Sequence, residues 1–250
     1  MLFRSDLTTH ANAHRTLALL MGRPVGREAH PVDVFHAHAR LLERATQLGA
    51  ARGGGSLTAF PIVETQAGDL TGYIPTNLVS ITDGQIRLDA SLVAADLTPA
   101  VDVALSVSRV GGKAQPPLLR QLSGSLKNRY AQFLELESFA RFGTRLEASA
   151  QAVVDWGRRV RRALRQGRGV SHSWQDTLAR LLVVQAEGFE RLPMGSIDAF
   201  IEQACAQLRS DPTFAAAAIE ATPVGSARID ELRRAGDHVL AAMQPGAAAP

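Results

Sequence analysis

The sequence predicts an α/β region followed by an all-helical region, with the change near residue 115. Apolar runs typical of strands, at 57–63 and 101–107, fall in the first 115 residues. Beyond them alanine, leucine, arginine and glutamine dominate, as in helices, and Pro116 and Pro117 mark the boundary. We therefore expect one domain over residues 1–115 and a second over residues 116–250.

The first region is expected to alternate helices and strands. The expected elements are a strand end at 1–3, helices over 7–21 and 33–48, a strand over 57–63, an irregular segment over 66–77, a short strand over 78–81 and a returning strand over 85–88. Asp33 is a candidate cap for the second helix. The Asp83-Gly84 pair is a typical hairpin-turn signal, so the last two strands should form a hairpin.

The stretch over residues 101–115 contains the most informative pattern. Its small and β-branched apolar residues predict a strand buried on both faces, and Arg109 follows before Gly111 and Gly112 end the element. Sheets of α/β proteins bind ligands at the carboxyl ends of their strands, and a guanidinium there can hold a phosphoryl oxygen with two donors. The alternative is that Arg109 caps the strand and points into water, since arginine is mostly exposed.

The second region is expected to be wholly helical. Its predicted helices cover residues 118–142, 146–165, 174–190, 197–208 and 227–243, and no internal repeat is present.

Composition excludes several classes of protein. With 27 basic and 24 acidic residues among 250, the net charge of +3 is too small to indicate nucleic-acid binding. The single cysteine, Cys205, cannot form an internal disulfide and fits a reducing compartment. No apolar stretch is long enough to span a membrane, and the first residues do not resemble a signal peptide. We expect a cytosolic chain.

Three apparent motifs are weak. GGKA at 111–114 resembles the end of a P-loop, but the pattern requires glycine in place of Val107 and serine or threonine in place of Ala114. His36 and His38 are two residues apart on a helix and face away from each other, so no metal site is predicted. The basic run at 158–168 could bind nucleic acid or an acidic partner, although such a run is more often a solvated helix face.

Longer motifs carry a resemblance to a known family. They are GREAHPVDVF at 26–35, ARLLERA at 39–45, GGGSLTAFPIVETQAGDLTGYIPTNLVSITDGQIRL at 53–88 and VDVALSVSRVGGKAQ at 101–115. Together they resemble the alpha subunit of the rotary F-type ATP synthase. The likeness extends over residues 2–166 and more weakly to the end of the chain.

The resemblance implies part of a RecA-like nucleotide-binding domain of the P-loop NTPase type, followed by a helical bundle domain that faces the central rotor. Alpha subunits of this family alternate with catalytic beta subunits and bind ATP or ADP with Mg²⁺ without turning it over. The implied partners are beta, the gamma rotor and delta, without nucleic acid. The implied location is peripheral, on the cytoplasmic face of the bacterial inner membrane, with membrane contact only through the complex.

The resemblance also assigns site residues. Arg109 occupies the position of an arginine finger that reaches into the beta catalytic site. Ser106 matches a position required for activity, although a small packed residue would explain that requirement equally. Ser80 matches a position near the phosphate side of the same interface, with a hairpin flank as the alternative. Gln166 and Arg168 match positions beside the adenine.

Departures from the family pattern leave two interpretations open. The family's P-loop lies before Met1, Ser5 replaces the Walker B aspartate that helps to bind Mg²⁺, and Val93 and Thr98 replace an aromatic residue and an arginine. Arg168 replaces a glutamine. The chain is then either part of an alpha subunit that supplies Arg109 in trans, or a non-enzymatic interaction fragment or decayed gene product that docks on beta or gamma.

Overall fold

The computed structural model describes residues 2–141, 146–186 and 188–210, with a few single positions between 212 and 241. Their contacts divide the chain into two compact units, Met1–Ile86 with Val107–Val110, and Arg87–Ser106 with Gly111–Pro250. The two units interleave along the chain. The domain division predicted at residue 115 stays a prediction.

The first unit contains two small sheets and three helices. In chain order its elements are β1 (Leu2–Asp6), α1 (Leu7–Leu20), α2 (Val34–Leu42), β2 (Thr58–Ile62), α3 (Tyr73–Ile81), β3 (Gly84–Gln85) and β4 (Val107–Ser108). Strands β1 and β2 are parallel, in a register that pairs Leu2 with Thr58 and Asp6 with Ile62. Strands β3 and β4 are antiparallel. The strand predicted at 57–63 and the helix predicted at 7–21 are confirmed, and the second helix ends earlier than predicted.

Apolar side chains spaced along the three helices form the core of this unit. Asp6 caps α1 by accepting hydrogen bonds from the backbone N–H groups of Thr8 and Thr9. The buried members of the core come from all three helices: Leu7, Ala11, Val34, Leu42, Ile74 and Leu78. Burial of these stripes holds α1, α2 and α3 together.

The strand predicted at 78–81 is wrong, because α3 covers this segment and part of the predicted irregular one. Ile74 and Leu78 are four residues apart, so on a helix both side chains reach the core, and both are buried. Pro75 lies in the first turn of α3, where the missing N–H costs no hydrogen bond. Helical spacing and core contact therefore outweighed the β-branched composition.

The predicted hairpin is also wrong. Gly84 and Gln85 pair with β4 instead of returning along residues 78–81. A Cβ at Gly84 would overlap the backbone carbonyl of Val107, so the absence of a side chain permits this close pairing.

The buried strand predicted over 101–107 is wrong as well. Only Val107 and Ser108 form a strand, and Val101 makes a single bridge with Leu88. Val103 and Leu105 are 40% and 46% exposed, which contradicts burial on both faces.

The second unit is helical among the residues described. Its helices are α4 (Ala90–Ala94), α5 (Gly111–Ala114), α6 (Pro117–Arg141), α7 (Ala148–Ala163), α8 (Trp174–Val183) and α9 (Ile197–Ser210). The helices predicted at 118–142, 146–165 and 197–208 are confirmed to within a few residues. Helix α8 ends at Val183, earlier than predicted, and a separate turn at Phe189–Arg191 follows Gly188, whose φ is 88°. The helix predicted over 227–243 falls largely outside the described residues.

A buried ion pair stabilises the contact between α6 and α7. Arg161 donates two hydrogen bonds to Glu137, at 3.0 and 2.8 Å, and a third to the hydroxyl of Tyr130. Its guanidinium also lies 4.7 Å from the centre of the Phe133 ring. The side chains of Arg161 and Glu137 are only 16% and 11% exposed, so Arg161 is a buried cation compensated by Glu137. Arg158 lies 4.0 Å from the same carboxylate as a second, more exposed partner.

Gly157 permits the close packing of α7 on α6. A Cβ at this position would overlap the ring of Phe133, which is 0% exposed.

We expect Gly157→Ala to lower the free energy of unfolding by about 1–3 kcal/mol in a urea titration, because overpacking outweighs the better helix propensity of alanine. Gly124→Ala on exposed α6 surface is the control, since nothing lies within 4 Å of its added Cβ. It should raise stability by about 0.5–1 kcal/mol, and an equal gain in Gly157→Ala would contradict the packing argument.

A second prediction concerns the two neighbouring arginines of α7. Arg161→Met should lower the free energy of unfolding by about 3 kcal/mol, because the buried carboxylate of Glu137 loses its two short hydrogen bonds and keeps Arg158 only at 4.0 Å. Arg162 pairs with Asp198 at 2.7 Å, but both side chains are well exposed. Arg162→Met should therefore change stability little in the same denaturant titration. Equal losses in the two variants would show that burial of the pair is unimportant.

Candidate functional site

Arg109 lies directly after β4 and binds the carboxyl end of α3. Its Nη1 donates to the carbonyl of Thr82 at 3.1 Å and its Nη2 to the carbonyl of Val79 at 2.9 Å. Its backbone N–H donates to the backbone carbonyl of Asp83 at 2.8 Å. The last carbonyls of a helix have no partner inside the helix. A cation at this end also interacts favourably with the helix dipole. Arg109 is therefore a side-chain cap for α3.

The positive charge of Arg109 stays uncompensated within the described chain. Both acceptors of its guanidinium are neutral carbonyls, and none of the described carboxylates lies within 4.0 Å of it. The side chain is exposed, and two of its five N–H donors are in use. The arrangement fixes the guanidinium and leaves donors available to an incoming anion such as a phosphoryl group.

Ser80 lies in the last turn of α3, the turn that Arg109 caps. Its hydroxyl donates to the carbonyl of Asn77 at 2.7 Å, and the residue is exposed. The structure therefore brings Ser80 and Arg109 to one end of one helix, in the same unit. The expected hairpin flank is wrong, because Ser80 is helical.

Ser106 belongs to the other unit, and its hydroxyl is fully engaged. It donates to the carbonyl of Asp102 at 2.6 Å and accepts from the backbone N–H of Arg87 at 3.0 Å. These two hydrogen bonds connect the beginning of the 87–106 segment, at Arg87, with its end. Ser106 thus has a clear structural role.

Asp102 organises the same segment and is a residue that sequence reasoning missed. One carboxylate oxygen accepts from the backbone N–H groups of Ala104 and Leu105, at 2.9 and 3.0 Å, and the other accepts from Arg87 at 2.8 Å. The side chains of Arg87 and Asp102 are 20% and 16% exposed. An aspartate that binds the N–H groups two and three positions onward is a recognisable turn signal, and it was available in the sequence.

The two segments assigned to the adenine side lie together. The backbone N–H of Gln166 donates to the carbonyl of Thr98 at 2.9 Å, and Arg165 pairs with Asp96 at 2.6 Å. The side-chain amide of Gln166 donates to the carbonyl of Val170 at 2.7 Å. Arg168 follows in the same turn and is exposed, without an ion pair among the residues described. The structure therefore places Gln166 beside Thr98, and Arg168 two residues further along the chain.

A mostly apolar groove of about 390 Å³ runs beside Thr98. Its walls come from the segment before Val103 and from α6 and α7. Apolar members include Leu92, Leu97, Pro99, Leu126, Val160 and Leu164. The lining also includes polar and charged side chains, among them Lys127, Tyr130 and Arg165. It therefore suits a flat apolar group that carries polar atoms at its edge.

The basic run at 158–168 is largely paired inside its own unit. Arg159 donates to the carbonyls of Leu192 and Asp155. Arg161, Arg162 and Arg165 bind Glu137, Asp198 and Asp96. Their charges are compensated, which argues against a nucleic-acid surface.

The described residues contain no group of three or more His, Cys, Asp or Glu side chains arranged to bind a metal ion. None of their helices combines the length and the apolar character needed to cross a membrane.

The capping role of Arg109 can be tested by stability. Arg109→Met should lower the free energy of unfolding by about 1–2 kcal/mol, because two carbonyls of α3 lose their charged donor. Arg109→Lys should lower the free energy of unfolding by a smaller amount, since an ammonium group can still donate to one carbonyl. Arg40→Met, an exposed position on α2, is the matched control and should behave like the unchanged chain. Thermal unfolding of the three variants gives the comparison, and a wild-type midpoint for Arg109→Met would exclude the cap.

Two family models match the chain in succession. The nucleotide-binding domain of the ATP synthase alpha/beta family matches residues 1–108, and the C-terminal domain of the ATP synthase alpha/beta chain matches residues 115–237. Together they cover most of the sequence.

Curated relatives agree with the family models. ATP synthase subunit alpha 3 of Paraburkholderia xenovorans is 52% identical over 237 residues, which cover 94% of this chain and 44% of the relative. ATP synthase subunit alpha 1 of the same organism is 59% identical over 189 residues, or 75% of this chain and 37% of the relative. ATP synthase subunit alpha 2 of Polaromonas naphthalenivorans is 54% identical over 202 residues, or 81% and 39%. The chain spans less than half the length of these relatives. It belongs to the ATP synthase alpha/beta family and represents part of an alpha subunit.

Proposed function

We propose that the chain is the part of a non-catalytic alpha subunit that supplies Arg109 to the catalytic site of a neighbouring beta subunit in a rotary ATP synthase. The observation that carries the proposal is the fixed, exposed and uncompensated guanidinium after β4. An arginine that already forms an ion pair with a carboxylate would attract a phosphoryl group much less strongly.

Anchoring by neutral carbonyls suits the role of an arginine finger. The negative charge that spreads over a transferring γ-phosphoryl group is stabilised best by a cation that is already in place. Hydrogen bonds to Val79 and Thr82 restrict the side chain without cancelling its charge. Such a finger contributes a factor of about 10³–10⁵ in rate in other phosphoryl-transfer enzymes.

The two serines support Arg109 in different ways. Ser80 shapes the exposed surface at the end of α3, on the phosphate side of the proposed interface. Ser106 is a positioning residue, because its bonds to Arg87 and Asp102 fix the segment that leads into β4. Neither hydroxyl needs to react.

The nucleotide side of the proposal is limited to the adenine. In a RecA-like alpha domain, Gln166 and Arg168 would lie at the edge of the base, and the apolar groove beside Thr98 fits a flat ring. A bound ATP or ADP would stabilise the folded state of this unit and would not be hydrolysed there. The donor set for Mg²⁺ does not fit, because Ser5 stands at the Walker B position and the described residues offer no metal-binding cluster. No step is assigned to Mg²⁺ in this chain.

The proposed partners follow from the same placement. Beta receives Arg109, the helical unit faces the gamma rotor, and delta belongs to the same peripheral complex on the cytoplasmic face of the membrane. The second candidate function is docking on beta or gamma without any contribution to catalysis, and Ser5 favours it.

The deciding experiment measures ATP hydrolysis by the assembled complex. Arg109→Ala should reduce steady-state turnover by roughly 10³-fold or more, because the transition state loses its charge partner. Nucleotide binding on beta should persist. Lys113→Ala, an exposed cation four residues onward, is the matched control and should retain activity.

Two further measurements separate the candidate functions. Gel filtration must show that Arg109→Ala still assembles, so that lost activity is not lost structure. Arg109→Lys should recover only part of the rate, since an ammonium lacks the planar pair of donors. Full turnover by an assembled Arg109→Ala complex would exclude the finger and leave docking.

A further inference from the structure

Four histidines gather where α1 faces α2, outside the site described above. His10 and His14 lie one turn apart on α1, His38 lies on α2, and His30 lies on the connection between them. The Nδ1 atom of His10 is 3.1 Å from the Nε2 atom of His38, and the two ring centres are 5.1 Å apart. His38 is 0% exposed and His30 is 5% exposed. His14 is half-buried and His10 is exposed, so the cluster reaches from the core of the unit to its surface.

The contact between His10 and His38 depends on the number of protons. One ring nitrogen must donate and the other must accept, so the contact works while a single proton lies between them. When both imidazoles are charged, two donors face each other and two positive charges repel. The Nδ1 atoms of His38 and His30 are buried without a hydrogen-bond partner among the described residues, so a proton added to either atom finds no acceptor there. The described residues contain no group of side chains arranged to bind a metal ion, and these histidines are no exception.

We propose that the histidine cluster is an acid-sensitive latch, which holds α1 against α2 while its imidazoles are neutral and releases them when it takes up protons.

The surroundings of His38 resist its protonation. Burial is the largest cause, followed by the charges of His10, His14 and His30, and together they lower its pKa from 6.5 to about 4. Burial likewise lowers the pKa of His30, and the charge of Arg15 adds to this effect. Both buried rings therefore favour the neutral state.

Some neighbours act in the opposite direction. Glu28 and a hydrogen bond to the backbone of Ala11 raise the pKa of His30. Asp33 lies 3.8 Å from Nδ1 of His14 and also 3.7 Å from Arg23, so its charge is shared. The remaining titratable neighbour is a phenol: Tyr73 of α3, whose ring lies 6.1 Å from that of His30. These groups do not contact His38, which stays the least accessible member.

The direction of the pH effect follows from proton linkage. An unfolded chain binds a proton on His38 near pH 6.5, whereas the folded chain does so only near pH 4. Between these values the unfolded state holds more protons, so stability is complete above pH 6.5 and falls as the pH drops toward 4. His38 alone should raise the opening equilibrium constant roughly 50-fold between pH 7 and pH 4.5.

The latch is connected to Arg109 through one core. Helix α2 packs on α3 through Val34, Leu42 and Leu78, and the end of α3 holds the guanidinium. Release of α2 would loosen the carbonyls that fix Arg109. This last step rests on the proposed function, whereas the latch itself does not.

The test is amide hydrogen exchange of the full 250-residue chain in EDTA, from pH 7.0 to pH 4.5, corrected for intrinsic exchange rates. Protection of α1 and α2 should fall roughly 50-fold more than protection of α8 and α9, which serve as an internal reference. His38→Gln should abolish most of this difference, since an amide does not titrate. His36→Gln, an exposed position on the same helix, should behave like the unchanged chain.

A second variant keeps the test decisive. If His38→Gln does not fold, His38→Leu replaces it, because an apolar side chain needs no hydrogen bond in a buried position. Equal pH dependence in the chain and in either His38 variant would overturn the proposal, as would uniform protection of α1 and α2 across the range. These outcomes are independent of ATP hydrolysis, so loss of the arginine-finger role would leave the latch standing.

Discussion

The bond between the Arg109 guanidinium and the end of α3 is the constraint on which the candidate site depends. It joins two parts of the first unit that are almost thirty residues apart, with acceptors at Val79 and Thr82. It also satisfies carbonyls that a helix end leaves unpaired. Because both acceptors are neutral, one interaction supplies rigidity and preserves charge. Structural and chemical roles therefore coincide in a single side chain.

Arg87 illustrates the opposite use of the same residue type. Its guanidinium binds Asp102 at 2.8 Å and lies 3.8 Å from Asp89, so its positive charge is compensated by carboxylates of the same unit. Together with the hydroxyl of Ser106, this pair fixes a segment that contains almost no regular structure. A small polar cluster takes the place of a sheet or helix there. The 101–115 segment thus has two parts with different roles. The part before Val107 stabilises the fold, and the part after it is exposed and positively charged.

Sequence patterns predicted the helical half of the molecule well and the strands less well. Helices α6, α7 and α9 lie where alanine, leucine, arginine and glutamine dominate, so composition was enough to locate them. The segments 78–81 and 101–107 contain several β-branched residues but are short. The residues that they contact, which decide their structure, are remote in the sequence. The motif identified Arg109 as an important residue, but its anchors on α3 required the fold. Asp102 was accessible from turn chemistry, whereas the meeting of His10 with His38 depends on how two helices pack.

The interleaving of the two units has a consequence for how the chain can be divided. The first unit is discontinuous, because Val107–Val110 returns to it after twenty residues that belong to the second. A cut at residue 86 would leave β3 unpaired and α3 uncapped, even though the helical core of that unit stayed whole. Residues 87–106 are therefore tethered at both ends to the first unit, and they form a closed loop for as long as β3 and β4 stay paired. The entropy cost of closing a loop grows only slowly with its length, so a change in the length of this segment should be tolerated better than a break in the chain at either end.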